Sequence, residues 1–199
     1  MYIFLDSYND RDREVPMLST GTFFWQIISS VTAFFFGALF HFVFEMSGGW
    51  KPVALIGAVN ESTWEHLKIA FWPMFFLFLF ELAAKGKKPE NFLLAKTAGL
   101  YFTPVLIVLL FYSYRMLFHA HSLAYDITIF FVAILSGNIL SWKLLSVFPS
   151  GSVRGTRAVA VVFLTVLALS FSFFTYFPPR VFLFRDPRTR GFGIIHGDR

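Results

Sequence analysis

The sequence predicts an all-α fold, a polytopic transmembrane helix bundle of about five spans. Three observations predict it. Of 199 residues, 56% are hydrophobic and 15% charged, where a soluble domain carries about 25% charged residues. Phe alone supplies 29 residues, and the mean hydropathy is +0.63. The apolar residues fall in runs of about 20, the length that crosses a hydrocarbon core, and Gly, Pro or clustered charge closes most runs. The chain is short for two ordinary soluble domains but long enough for such runs with short loops.

Residues 1–18 form a polar lead without the charged, apolar and small-residue pattern of a cleavable signal, so the first span is expected to stay in place. That span covers about 20–46, carries Gln26, Ser29, Ser30 and Thr32, and ends in His41 and Glu45. Gly48-Gly49 and Pro52 break the chain into a loop. The second span, about 61–84, is rich in Phe and contains Pro73, which predicts a kink. Lys85-Gly86-Lys87-Lys88-Pro89 stops it. The third covers about 92–112 with Pro104 inside, and Arg115–His121 reads as a loop. The fourth covers about 122–147 and ends at Pro149-Ser150-Gly151. The fifth covers about 156–177 and ends at Pro178-Pro179. No internal repeat or linker divides the chain. Residues 19–178 read as a single transmembrane domain and 179–199 as a basic interfacial tail.

The formal net charge is +5, but the basic residues flank apolar runs, which points to a lipid bilayer and away from nucleic acid. No cysteine is present, so disulfides, thiolate metal sites and Cys nucleophiles are excluded. With five spans, Arg11, Arg13, Lys85, Lys87, Lys88, Lys96, Lys143, Arg154 and Arg157 share one side, against Lys51, Lys68 and Arg115 opposite. The positive-inside rule then places the N-terminus in the cytoplasm of a multi-pass cell-membrane protein. The arginines of the tail (Arg180, Arg185, Arg188, Arg190 and Arg199) pull the other way.

That topology gathers the polar side chains at one membrane face. His41 and Glu45 end the first span, Asn60, Glu61, Glu65, His66 and Lys68 open the second, and Tyr112, Tyr114 and Arg115 end the third. His119, His121 and Asp126 lead into the fourth. Ionisable groups near hydrocarbon are costly, and mark a functional site by default. His41 and Glu45, at i and i+4, share a helix face and could hold a metal or share a proton, or simply bond to each other at a helix end.

Residues 60–68 carry the most information. Ser62-x-x-Glu65 fits a capping box and Asn60 is a favoured cap, so a structural reading is available. A cap needs one acid, however. Glu61 and Glu65 at i, i+4 would repel on a helix, an unfavourable pairing that Lys68, a divalent cation or a shared proton would offset. His66 points elsewhere, toward a neighbouring helix, and Trp64 supports the segment. The metal set is thus His41, Glu45, Glu61, Glu65, His66 and Asp126, with Asn60, Trp64, Lys68 and Arg115 supporting. Zinc, manganese or iron(II) suits such donors. The order is not His-Glu-x-x-His. His119-x-His121 could add ligands but reads better as a solvated loop, and the Asp126 alternative is a helix-dipole contact. Glu81 reads as a partner of Lys85, Asn138 as an interhelical hydrogen-bonding group, and the Phe stripe as lipid-facing or packing surface. The tail reads as an interfacial anchor; the alternative is a lid bringing Arg180 or Arg185 to a phosphate or carboxylate.

H-F-V-F-E-M-S-G-G at 41–49, V-N-E-S-T-W-E-H-L-K at 59–68, F-W-P at 71–73 and F-P-P-R-V-F-L-F-R-D-P at 177–187 resemble a family of small prokaryotic membrane proteins of unknown function. The resemblance covers most of the chain, and the N-E-S-x-W-E-H string is its most specific part. It implies the fold and the choice of site, not a reaction. Met46 stands where the resemblance implies an aromatic residue.

Three functions compete. In a metal-dependent intramembrane hydrolase acting on a lipid or peptide bond, Glu61, Glu65 and His66 are the catalytic candidates and Glu65 the general base. In a proton- or cation-coupled transporter or channel subunit the same groups would titrate or bind the ion; so small a permease would need a homo-oligomer. In a scaffold or sensor the polar face is only capped. The enzyme reading leads because polar groups are sparse in the other half of the membrane.

Overall fold

The structure is a computed structural model that describes residues 20–84, 88–119, 122–147 and 155–194. The polar lead, Lys85, Lys87, His121, Pro149-Ser150-Gly151, Arg154 and Arg199 lie outside the described residues. Five helices follow one another: α1 (Thr20–Met46), α2 (Thr63–Ala83), α3 (Phe92–Phe118), α4 (Leu123–Val147) and α5 (Thr156–Tyr176). Short 3-10 turns sit at Lys51–Leu55 and Phe182–Phe184. All five helices are long and apolar enough to cross a membrane, which marks a multi-pass membrane protein.

The distribution of side chains fits that medium. Phe24, Phe35, Phe42, Phe80, Phe163 and Phe173 are exposed, whereas Gln26, Glu65, Lys68, Lys96 and Asn138 are buried. Apolar groups face outward, and polar groups are paired inside where no water could satisfy them. α2 and α3 are the most enclosed helices, and α5 the least. α3 and α4 make the most extensive helix pair. Their backbones approach at Gly99 and Gly137, where an added Cβ would overlap the facing helix, the close packing that small residues permit in membranes. Thr103 closes the crossing by donating to the Gly99 carbonyl at 3.0 Å and the Ala133 carbonyl at 3.3 Å.

Two boundaries differ from the sequence reading. α3 continues to Phe118, so Arg115 belongs to its last turn and not to a loop. α2 begins at Thr63 with Ser62 as N-cap, so Glu61 precedes the helix. The helical i, i+4 repulsion expected between Glu61 and Glu65 therefore does not apply. Pro73 and Pro104 lie buried within α2 and α3, each of which continues past its proline.

Candidate functional site

The two acids at the start of α2, Glu61 just before it and Glu65 in its first turn, point in opposite directions. Asn60 Oδ1 accepts from the Ser62 backbone N–H at 2.8 Å, and Ser62 Oγ accepts from the Glu65 N–H at 3.4 Å. The capping box is thus half formed. The Glu65 carboxylate does not return to Ser62 but accepts from the Val59 N–H at 3.1 Å. It lies inside the bundle, 2.5 Å from Lys68 Nζ, and accepts from the Thr175 hydroxyl at 3.0 Å. Lys68 also donates to the Ala54 carbonyl at 2.8 Å and to Thr175 Oγ1 at 2.9 Å. This buried network ties the 3-10 turn after α1, the start of α2 and the end of α5 together.

Glu61 turns the other way. Its Oε1 lies 3.6 Å from His41 Nε2 and its Oε2 lies 3.7 Å from His66 Nε2. One ligand atom from each of His41, Glu61 and His66 falls within 4.8 Å of the others. The three side chains are partly open, at 24%, 27% and 37% exposure. Both N···O separations exceed the roughly 3.2 Å limit of a good hydrogen bond. Metal–ligand bonds of about 2.0–2.2 Å in a tetrahedron set neighbouring ligand atoms roughly 3.4 Å apart; each imidazole lies near that distance from a different Glu61 oxygen, so a bound ion would draw the three residues closer together. His66 Nδ1 lies 2.9 Å from the Ser62 carbonyl, so a proton there leaves Nε2 with a free lone pair toward Glu61. Among the described residues His41 Nδ1 is enclosed without a hydrogen-bond partner. Arg188 Nη1 reaches Glu61 Oε1 at 3.4 Å from the tail.

The family described as "Family of unknown function (DUF6512)" matches residues 18–194. The chain belongs to the DUF6512 family. No curated protein and no solved structure matches it.

In this DUF6512 protein the tail packs on the bundle. Phe184 is buried, with its ring 4.6 Å from Trp64 and 5.7 Å from Phe174. Trp64 also stacks at 4.7 Å on Phe171, so it is the hub on which the tail rests. Asn60 Nδ2 donates to the Gly193 carbonyl at 2.8 Å. Asp186 accepts from the Arg188 N–H at 2.8 Å and from the Thr189 hydroxyl at 2.9 Å, which folds the arginine-bearing turn.

Among the described residues, the group of possible metal ligands holds His41, Glu61 and His66 and none of the other candidates. Glu45 is exposed in the last turn of α1, and Asp126 is half-buried in the first turn of α4. Arg115 lies over the Phe111 ring at 5.2 Å. His119 caps α3 in a left-handed conformation and is exposed; His121 is outside the described residues. Glu81 pairs with Lys96 at 2.6 Å, across from α3, and Lys96 also donates to Gln26 at 3.0 Å. Asn138 donates to Ser30 at 2.9 Å, an interhelical bond of the expected kind. Arg188, Asp186 and Thr175 escaped the sequence reading. Asp186-Pro187 with Gly191 is a readable turn signal, but nothing in it shows where the turn docks.

Proposed function

We propose that His41, Glu61 and His66 bind one divalent metal ion, and that the chain is a metal-dependent hydrolase acting on a membrane substrate. The observation that supports this most is the grouping itself: one ligand atom from each residue falls within 4.8 Å of the others, and the imidazoles lie 3.6 and 3.7 Å from the two Glu61 oxygens, too far for good hydrogen bonds. Two imidazoles and one carboxylate form a donor set that leaves a coordination position for water or substrate, and zinc suits it best, ahead of manganese or iron(II). The ion would supply Lewis-acid polarisation of the scissile group and activation of water. The chain's own groups do the rest. The Ser62 carbonyl fixes the His66 ring, and Arg188 orients Glu61 and offsets its charge. Glu65, with its oxygens taken by Lys68, Thr175 and Val59, serves as scaffold in this reading and not as the base.

The buried groups around Lys96 and Asn138 would favour transport if they lined a path. The cavity between them is about 10 Å³, room for about one water. Elemental mass spectrometry on detergent-purified protein, loaded with zinc or manganese and desalted, tests the metal reading. About one equivalent should remain in the wild type and be lost in Glu61→Gln. A wild type that retains none overturns the proposal.

A further inference from the structure

Beside Glu61 lies a cleft of about 360 Å³ between the end of α3 and the tail. Three guanidinium groups line it: Arg115 from α3, and Arg185 and Arg190 from the turn after α5. Its two acids are directed elsewhere. Glu61 faces the histidines and Arg188, and Asp186 is buried with its carboxylate bound to the Arg188 N–H and the Thr189 hydroxyl. Among the described residues neither Arg185 nor Arg190 forms an ion pair. The Thr63 and Tyr112 hydroxyls are hydrogen-bonded to each other at 2.9 Å, which leaves one O–H to donate outward. Arg185 and Arg190 therefore supply the cationic donors of the lining, a pair matched to a phosphate-like oxyanion.

Two further features select among oxyanions. One wall is aromatic: Phe182 meets Tyr112 edge-on at 5.3 Å, and Phe182 is 71% exposed. Met116, Leu117 and Phe118, on the adjoining last turn of α3, are also exposed. A free ion has no use for an apolar wall at the edge of the hydrocarbon, whereas a lipid presents a phosphate and a chain together. Arg190 also holds φ of 61°. A non-glycine side chain is disfavoured there, and the Arg190 N–H bond to the Asp186 carbonyl at 2.9 Å and the Arg185–Phe192 bridge hold it. Strain kept at a residue that lines a cleft points toward a role for its side chain.

We propose that this cleft binds the phosphate of an anionic lipid head group. The proposal deepens the hydrolase reading, for which it supplies the substrate class. Glu61 is common to both sites, so the bound phosphate would abut the His41–Glu61–His66 group.

Binding of dihexanoyl phosphatidic acid to the full-length protein in neutral detergent, measured by calorimetry with EDTA present, tests it. Chelation keeps the result independent of the metal centre. If the cleft binds lipid phosphate, the wild type binds and the Arg185→Gln/Arg190→Gln variant is weaker by about tenfold or more. Arg190→Gly, which relieves the left-handed strain, should also bind more weakly while melting no lower than the wild type. Arg157→Gln, on exposed α5, should match the wild type. Equal affinity in the wild type and the double variant overturns the proposal. So does equal affinity for dihexanoyl phosphatidylcholine. Inorganic phosphate bound as tightly as the lipid would make the ligand a free anion and overturn the lipid assignment.

Discussion

Glu61 and Glu65 lie in the same short segment, yet they build opposite kinds of site. Glu65 sits in a closed network. Lys68, Thr175, the Val59 N–H and the Ala54 carbonyl satisfy one another, and Glu65 and Lys68 are almost wholly buried. Glu61 sits in an open cluster with two imidazoles beyond hydrogen-bonding distance and an exposed guanidinium. A closed network leaves no valence for a ligand, so its work is structural. An open cluster of donors adds little to stability by itself and leaves valence for a ligand. The same residue type thus serves two purposes, and exposure and partner geometry separate them where residue identity does not.

The largest expected effect lies in the closed network. Lys68→Met leaves the Glu65 carboxylate buried without its cation and should cost about 3–5 kcal/mol. Thermal unfolding in detergent should show a large loss of stability, and Glu65→Gln/Lys68→Met should recover part of it. If the single variant unfolds like the wild type, the network is not what holds α2 to α5. Next is Trp64→Ala, which removes the surface under Phe184; a loss of about 3 kcal/mol and faster proteolysis after Pro179 are expected. Intact resistance to proteolysis would show that the tail is held by other contacts.

Glu61→Gln sharpens the contrast with Glu65. Its partly exposed ion pairs should contribute under about 1 kcal/mol, so melting without metal should barely change. Added zinc should raise the melting temperature of the wild type and not of Glu61→Gln. The smallest effect is a gain: Arg190→Gly should stabilise by about 0.5 kcal/mol, because the relief of the left-handed φ of 61° outweighs glycine's entropy cost. A loss of stability there would mean that the Arg190 side chain, and not the Asp186 turn, holds the tail.

The five helices were legible because apolar run length and breakers encode them directly, whereas the second, largely buried polar set of Gln26, Glu81, Lys96 and Asn138, toward the opposite helix ends, was not. His41, Glu61 and His66 were all readable as candidates, since polar residues stand out in such a chain. Their grouping apart from Glu65 was not readable. It depends on α2 starting at Thr63, which turns Glu61 out of the helix, and boundaries are the part of a helix that a sequence states least firmly. Lys85, the sequence neighbour of Glu81, lies outside the described residues; among those described the partner of Glu81 is Lys96 on α3, a pairing across helices that sequence spacing does not state. Arg188 was hidden for the same reason. Its turn is local, and its docking on Glu61 depends on Phe184 seating against Trp64.

The most direct test of the central claim is X-ray absorption at the zinc edge on the zinc-loaded, full-length protein. Imidazole scattering from two histidines, a first shell of nitrogen and oxygen at about 2.0–2.1 Å, and loss of that shell in Glu61→Gln with the fold intact are expected. A zinc shell without imidazole, or one that Glu61→Gln leaves unchanged, would contradict it.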